Sequence, residues 1–303
     1  MDTTQSQRQL HVALVVGVMA VSLAAVFIRL AGEAPPLTIA SYRLTLGAAL
    51  MVAFAFFSWG RDPDASAHPF PGVAARDIPL LAFSALSLAV HFWTWILSLQ
   101  HTSVASSVVL VTASPLIVAI ASRVFLKESV SKQAALGIGI GLAGGVALAA
   151  GDAGKGSELF GDLMAFLGAV SVVGYLLAGR KLRMKMPATT YNTIVYAGTA
   201  ALLLALAVGT GAQLSGFRTE TYLWLAVTAI VPQAIGHSLL NWTLGRVSAT
   251  TVAIAVMAEP VLATIVAIPV LGELPPWTSV AGGVLILAGI YVAMQRGMAR
   301  ATP

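Results

Sequence analysis

Glu259 stands directly before Pro260 near the middle of a long apolar stretch. An ionisable group at that depth is costly to hold in a bilayer and so invites a functional reading. One reading is a proton-coupling or substrate-amine site. The other is a protonated or paired carboxyl that helps hold the chain break at the proline. A second pattern lies upstream, where Ser84, Ser87, His91, Trp95 and Ser98 recur in steps of three and four. That spacing puts all five on one helix face. In lipid such a stripe must meet protein or water. Gln233, His237 and Asn241 form a similar stripe later in the chain, and Ser171 with Tyr175 and Asn192 with Tyr196 are shorter versions. The stripes read as the lining of a wet cavity, in which either histidine could bind substrate or titrate and Trp95 could stack on an apolar or aromatic substrate. Interhelical hydrogen bonding is the plainer alternative. Arg43, about two turns inside its apolar stretch, reads as an anchor whose long side chain snorkels to the surface, with contact to a substrate carboxylate as the alternative.

Catalysis finds little support. The chain has no Cys, so disulfides, thiolate metal sites and thiol nucleophiles are excluded. The five His are scattered without ligand spacing, which argues against a metal. There is no HExxH, no pair of deep Asp and no phosphate-binding GxxxxGK[ST] loop. His237 and Ser238 are adjacent, but neighbouring helix residues point about 100° apart and cannot readily share a proton. No catalytic residue, cofactor or enzyme activity is expected.

The composition says what must position these residues. Of 303 residues, 58% are hydrophobic and only 10% charged, far from the quarter expected of soluble domains. The small net charge of +5 reads as loop charge setting membrane orientation, not as a nucleic-acid surface. Stretches long enough to cross a bilayer as helices fall at about 11–31, 36–58, 78–99, 102–124, 132–150, 159–180, 188–209, 221–244, 247–271 and 276–295. The first is too long for a signal-peptide core and reads as a retained span. The expected fold is therefore an all-α integral membrane protein with ten transmembrane helices. The longest connection runs from Gly60 to Arg76, and a Gly/Asp-rich stretch from Gly151 to Gly156 divides the chain. With the N-terminus inside, the inner segments hold all 17 Lys and Arg except Arg29, Lys155 and Arg218 outside and Arg43 within a span. Both termini are thus expected in the cytoplasm.

The halves repeat. Pro115 and Pro260 are 145 residues apart, and so are Glu128 and Glu273, Gly137 and Gly282, and the Leu-Ala-Gly runs at Leu142 and Leu287. Each half holds five spans, an odd number, so the copies must enter the membrane in opposite senses. Residues 11–150 and 159–297 are expected to be two inverted five-helix repeats, the build of a secondary transporter with its site near the midplane. In the same register His91 falls opposite Gly236, putting His91 and His237 at nearly equal depth. Pro115 and Pro260 free backbone carbonyls at matched depths and could hinge an alternating-access motion or simply shape the cavity. Gly137, Gly141 and Gly145 form a small-residue run suited to close helix contact, within the monomer or across a homodimer.

Several motifs resemble the EamA-type branch of the drug/metabolite transporter superfamily. They are Ser41-Tyr42-Arg43, the run from Thr112 to Glu128, the Gly-rich stretch from Gly137 to Gly145, Gly161-Asp162, Met257-Ala258-Glu259-Pro260 and Leu271-Gly272-Glu273. One departure is Leu126-Lys127-Glu128, where the second half has Leu-Gly-Glu. The resemblance implies ten helices, the bacterial inner membrane, and export of amino acids or related small metabolites. Multidrug, cation, vitamin and nucleoside carriers of the same fold remain alternatives for the substrate. The candidate lining residues are Ser87, His91, Trp95, Tyr175, Gln233, His237, Asn241 and Glu259. Because the chain is free of Cys, topology is directly testable. In intact cells an impermeant maleimide should label Lys155→Cys, and label Lys181→Cys only after permeabilisation; the reverse pattern would overturn the orientation.

Overall fold

The computed structural model describes residues 3–59, 70–101, 107, 110–111, 114–150, 159–272 and 277–294. Most of the connection from Gly60 onward, Gly151 to Gly156 and Glu273 lie outside the described residues. All regular structure among the described residues is helical. Hydrocarbon imposes this, because a helix satisfies its own backbone groups and an open strand cannot. Among the described residues, seven helices are long and apolar enough to cross a membrane. Ser114–Leu126 and Val280–Met294 are shorter apolar helices.

In chain order the helices are α1 (Thr3–Ser22), α2 (Ala24–Leu30), α3 (Pro36–Trp59), α4 (Ile78–His101), α5 (Ser114–Ala121), α6 (Lys132–Ala150), α7 (Leu159–Arg183), α8 (Ala188–Gly209), α9 (Thr219–Thr228), α10 (Ser238–Leu244), α11 (Ala249–Val256), α12 (Glu259–Leu271) and α13 (Trp277–Met294). Among the described residues two π-helical segments interrupt the regular winding, Ser122–Leu126 after α5 and Ala229–His237 between α9 and α10. The second contains Pro232. A proline inside a helix lacks the N–H for its i−4 bond and its ring crowds that carbonyl, so a wider turn relieves both problems.

The chain forms two compact units, and each draws on both halves of the sequence. The first comprises residues 1–89 and 178–246, the second residues 90–177 and 247–303. In the first unit, α3 packs along α8, and the Ala229–His237 segment packs on α1 and α3. Its helices bury one apolar face and leave the other outward. Leu10, Leu14, Val18 and Val21 of α1 are buried while Val12, Val15 and Met19 are exposed. At one end Glu33 accepts hydrogen bonds from the Thr221 hydroxyl (2.7 Å) and the Arg218 backbone N–H (3.2 Å), tying the loop before α3 to the start of α9. Those two bonds hold the exposed Glu33 carboxyl below its ordinary pKa, the Thr221 hydroxyl foremost.

The second unit is built around α6 and α13. A Cβ on Gly137 would meet the Gly289 carbonyl oxygen and the Ala293 Cβ (2.6 Å). One on Gly289 would lie 2.5 Å from the Gly137 carbonyl oxygen, and one on Gly144 would lie 2.6 Å from that of Gly282. The backbones therefore touch, and the glycine run of α6 serves contact within the monomer. Lys127 ends the π segment with φ 57°, and Gly272 ends α12 with φ 68°. The departure Leu126-Lys127-Glu128 thus places a side-chain-bearing residue in the left-handed position that glycine fills in the other half. Gly137→Leu should lower thermal stability by about 1–3 kcal/mol or more through overpacking. Gly139→Leu, where nothing lies within 4 Å of an added Cβ, should leave the melting temperature unchanged. Equal effects of the two substitutions would contradict the close α6–α13 contact.

Candidate functional site

Two groups of buried polar side chains stand out, one in each unit. The first centres on Arg43 of α3, whose residue is only 1% exposed. Its Nε donates to Gln233 Oε1 at 2.8 Å. Gln233 lies in the π segment and is itself fully buried. Gly47, one turn beyond Arg43, makes the approach possible, since a Cβ there would sit 2.9 Å from Gln233 Cγ. Arg43 is therefore not a snorkelling anchor: the side chain turns into the protein, where an amide oxygen can meet its charge, and lipid could not.

From there a thread of polar groups runs along α8 and α10. The Tyr196 hydroxyl lies 3.4 Å from Ser238 Oγ and accepts from Asn241 Nδ2 at 3.4 Å. Asn241 Nδ2 also donates to Asn192 Oδ1 at 2.8 Å. Nearby, Ser84 and Tyr191 share a hydrogen bond of 2.7 Å. Asn192, Tyr196 and Asn241 are each at most 2% exposed. His237, the last residue of the π segment, is half-buried. The wider π winding breaks the regular spacing expected of Gln233, His237 and Asn241, so Gln233 and Asn241 are buried while His237 is left at the margin. Ser41 and Tyr42 serve the fold: Ser41 Oγ donates to Leu37 O (2.7 Å), and the Tyr42 hydroxyl donates to Leu214 O (2.9 Å).

The second group belongs to α4 and α7. His91 Nδ1 is 2.9 Å from the Gly168 carbonyl oxygen. A carbonyl only accepts, so Nδ1 carries the hydrogen in this bond. The His91 ring lies parallel to Trp95, with an interplanar angle of 3° and centroids 6.1 Å apart. Gly168 keeps its contact with α4 close, since a Cβ there would be 3.2 Å from Thr94 Oγ1. Ser98 Oγ and Ser107 Oγ are 2.7 Å apart. Ser87, Trp95 and Tyr175 are buried as well. All five residues of the α4 stripe are thus inside protein, and three of them make hydrogen bonds to other segments.

Glu259 is half-buried and opens α12, just after the turn at Met257 and Ala258 that separates α12 from α11. Pro260 occupies the first turn of α12, where a missing N–H costs no helix bond. Pro115 is the second residue of α5. Among the described residues no group of three or more His, Cys, Asp or Glu could hold a metal ion.

The sequence profile of the EamA-like transporter family matches residues 10–149 and again 159–295. The chain belongs to that family. As an EamA-like protein it is a multi-pass membrane transporter and not an enzyme. Full-length relatives are consistent with this. An uncharacterized transporter of Archaeoglobus fulgidus is 25% identical over 272 residues, covering 87% of this chain and 89% of that protein. The uncharacterized transporter YdfC of Bacillus subtilis is 27% identical over 286 residues, covering 92% and 88%. A probable terminal-alkyne amino-acid exporter of Streptantibioticus cattleyicolor is 26% identical over 234 residues, covering 75% and 76%. A solved crystal structure shares the fold at a TM-score of 0.77 and 20% identity, covering 94% of this chain and 96% of that one.

Sequence reasoning underrated Asn192 and Tyr196, and misplaced Arg43. Its usable signals were the four-residue spacing of Asn192 and Tyr196 and the Pro232-Gln233 pair. Nothing in the sequence joined Arg43 to Gln233, 190 positions away. Gln233→Leu should destabilise the protein by about 2–3 kcal/mol, because it leaves a buried cation without that acceptor. Arg43→Met combined with Gln233→Leu should recover much of the loss in thermal unfolding. Simple additivity of the two substitutions would show that the pair does not act as a unit.

Proposed function

We propose that this protein is a secondary carrier that exports amino acids or related small amphiphilic metabolites by alternating access. Ten transmembrane helices in two inverted five-helix repeats, residues 11–150 and 159–297, would supply the two access states. The observation that carries the reading is the family match that recurs once in each half of the chain. The 145-residue register of Pro115 with Pro260 and Gly137 with Gly282 supports it independently. The amino-acid cargo rests on the relative named as a probable amino-acid exporter. The distribution of Lys and Arg supports both termini in the cytoplasm, and the EamA-like family match supports a location in the bacterial inner membrane.

In this reading the substrate path is lined from Ser87, His91, Trp95, Tyr175, Gln233, His237, Asn241 and Glu259. Pro115 and Pro260 mark the points where helices bend. Glu259 is the proton-coupling group: its half-buried residue opens α12, just after the turn that ends α11. Small-molecule substrate and lipid are the partners, and the protein acts as a monomer or a homodimer.

Counterflow in liposomes, against a panel of amino acids, nucleosides, vitamins and cationic dyes with and without an imposed pH gradient, tests the proposal. Saturable flux competed by amino acids is expected. Flux confined to another class would replace the cargo, and no flux for any compound from folded protein would overturn the carrier reading. Glu259→Gln should abolish pH-driven transport while leaving substrate exchange intact. Unchanged pH dependence in that variant would remove Glu259 from the coupling.

A further inference from the structure

Two apolar spans end at one place in the first unit. One is Leu159–Arg183 and the other Thr219–Leu244. Arginines cluster there around the last turn of α10. Arg180 Nη1 donates to Leu244 O at 2.8 Å. Arg183 Nε donates to Asn241 O at 2.9 Å, and its Nη1 to Met186 O. Asn241 O and Leu244 O belong to the last turn of α10, whose carbonyls a helix end leaves without intrahelical partners. Gly245 admits the Arg183 guanidinium to this corner, since a Cβ there would lie 3.0 Å from Arg183 Nη2. Arg246 follows directly. Its guanidinium carbon sits 3.5 Å from the centroid of the Trp242 ring, and its Nη1 donates to Trp242 O at 2.9 Å.

The hydrogen bonds of Arg183 and Arg246 go to backbone carbonyls, which are neutral. A helix C-terminus contributes only about half a negative charge. Among the described residues neither arginine is paired with a carboxylate, although the two positive charges lie close enough to interact. Lys185, the next cation along, is already neutralised by Asp77 at 3.0 Å. Positive charge is therefore left over at this corner. Arg183 is buried, but Arg246 is exposed and Trp242 half-buried. With Nη1 held by Trp242 O, Arg246 can turn its Nε and Nη2 toward an incoming anion.

We propose that Arg246, positioned by Trp242 and backed by Arg183, binds the phosphate of an anionic lipid headgroup. The position decides for lipid over a free anion: both spans end here, and a half-buried tryptophan at a span end marks the headgroup level. A guanidinium offers the planar, two-pronged donor that a phosphate accepts. The proposal does not rest on the carrier reading, and its failure would leave that reading untouched.

The test uses the full-length protein in nanodiscs of phosphatidylcholine alone or with phosphatidylglycerol. Phosphatidylglycerol should raise the melting temperature by roughly 3 °C or more. Arg246→Ala should lose at least half of that rise, whereas Lys132→Ala, on α6 of the other unit, should keep it. Mass spectrometry of lipid retained through detergent purification gives a second readout, free of stability effects. Phosphatidylglycerol retained by the parent protein should fall severalfold in Arg246→Ala and in Arg246→Gln. Equal retention in parent and variants would overturn the proposal, as would equal melting temperatures in the two lipids. A full rise produced by inorganic phosphate in phosphatidylcholine nanodiscs would overturn the assignment to lipid.

Discussion

Hydrocarbon offers no hydrogen bonds, and that constraint governs where every polar atom of this chain can rest. The backbone meets it by being helical in all its described regular segments. Serine and threonine side chains inside the spans meet it by bonding carbonyls three or four residues back, as Ser22 does to Val18, Ser41 to Leu37 and Thr94 to Val90. Groups that cannot be satisfied within their own helix must find a partner on another one. Arg43 with Gln233, Asn241 with Asn192, and His91 with the Gly168 carbonyl are the outcomes. Polar residues therefore fix how helices pair within each unit, which apolar packing alone would leave loosely specified.

Where no polar partner is on offer, closeness does the same work. Between α6 and α13 the glycines bring backbone against backbone. Lipid tails are as apolar as leucine, so no hydrophobic gain distinguishes helix from lipid there, and dense van der Waals contact has to. At the ends of helices, where carbonyls lose their partners, arginines take over, as Arg180 and Arg183 do for the last turn of α10. Cations counted as loop charge in the sequence thus also act as caps.

Two discontinuities in the second half of the chain bear on the candidate site. The winding widens at Ala229–His237 and breaks between Val256 and Glu259. Both places carry polar candidates beside a proline: Gln233 after Pro232, and Glu259 before Pro260. A regular helix buries its amide groups in its own ladder, and an interrupted one turns some of them outward. Carriers that must bind a polar solute within lipid depend on such interruptions.

The sequence by itself determined that the chain is helical and multi-pass, because bilayer thickness and the cost of unpaired polar groups translate directly into composition and length. It also marked the polar stripe of α4 and the glycine run of α6, since both follow from helical spacing. Only the tertiary structure decided what those residues touch. Arg43 looked like a surface anchor because depth along one span says nothing of the direction a side chain takes, and its acceptor lies on a segment 190 residues away. The even spacing of Gln233, His237 and Asn241 assumed α-helical winding, and the π segment around Pro232 undid it. The glycine run could have faced a second copy, but α13 occupies it. Periodicity along a single helix is local and can be read from the chain, whereas the partner a buried polar group finds depends on how separate helices pack.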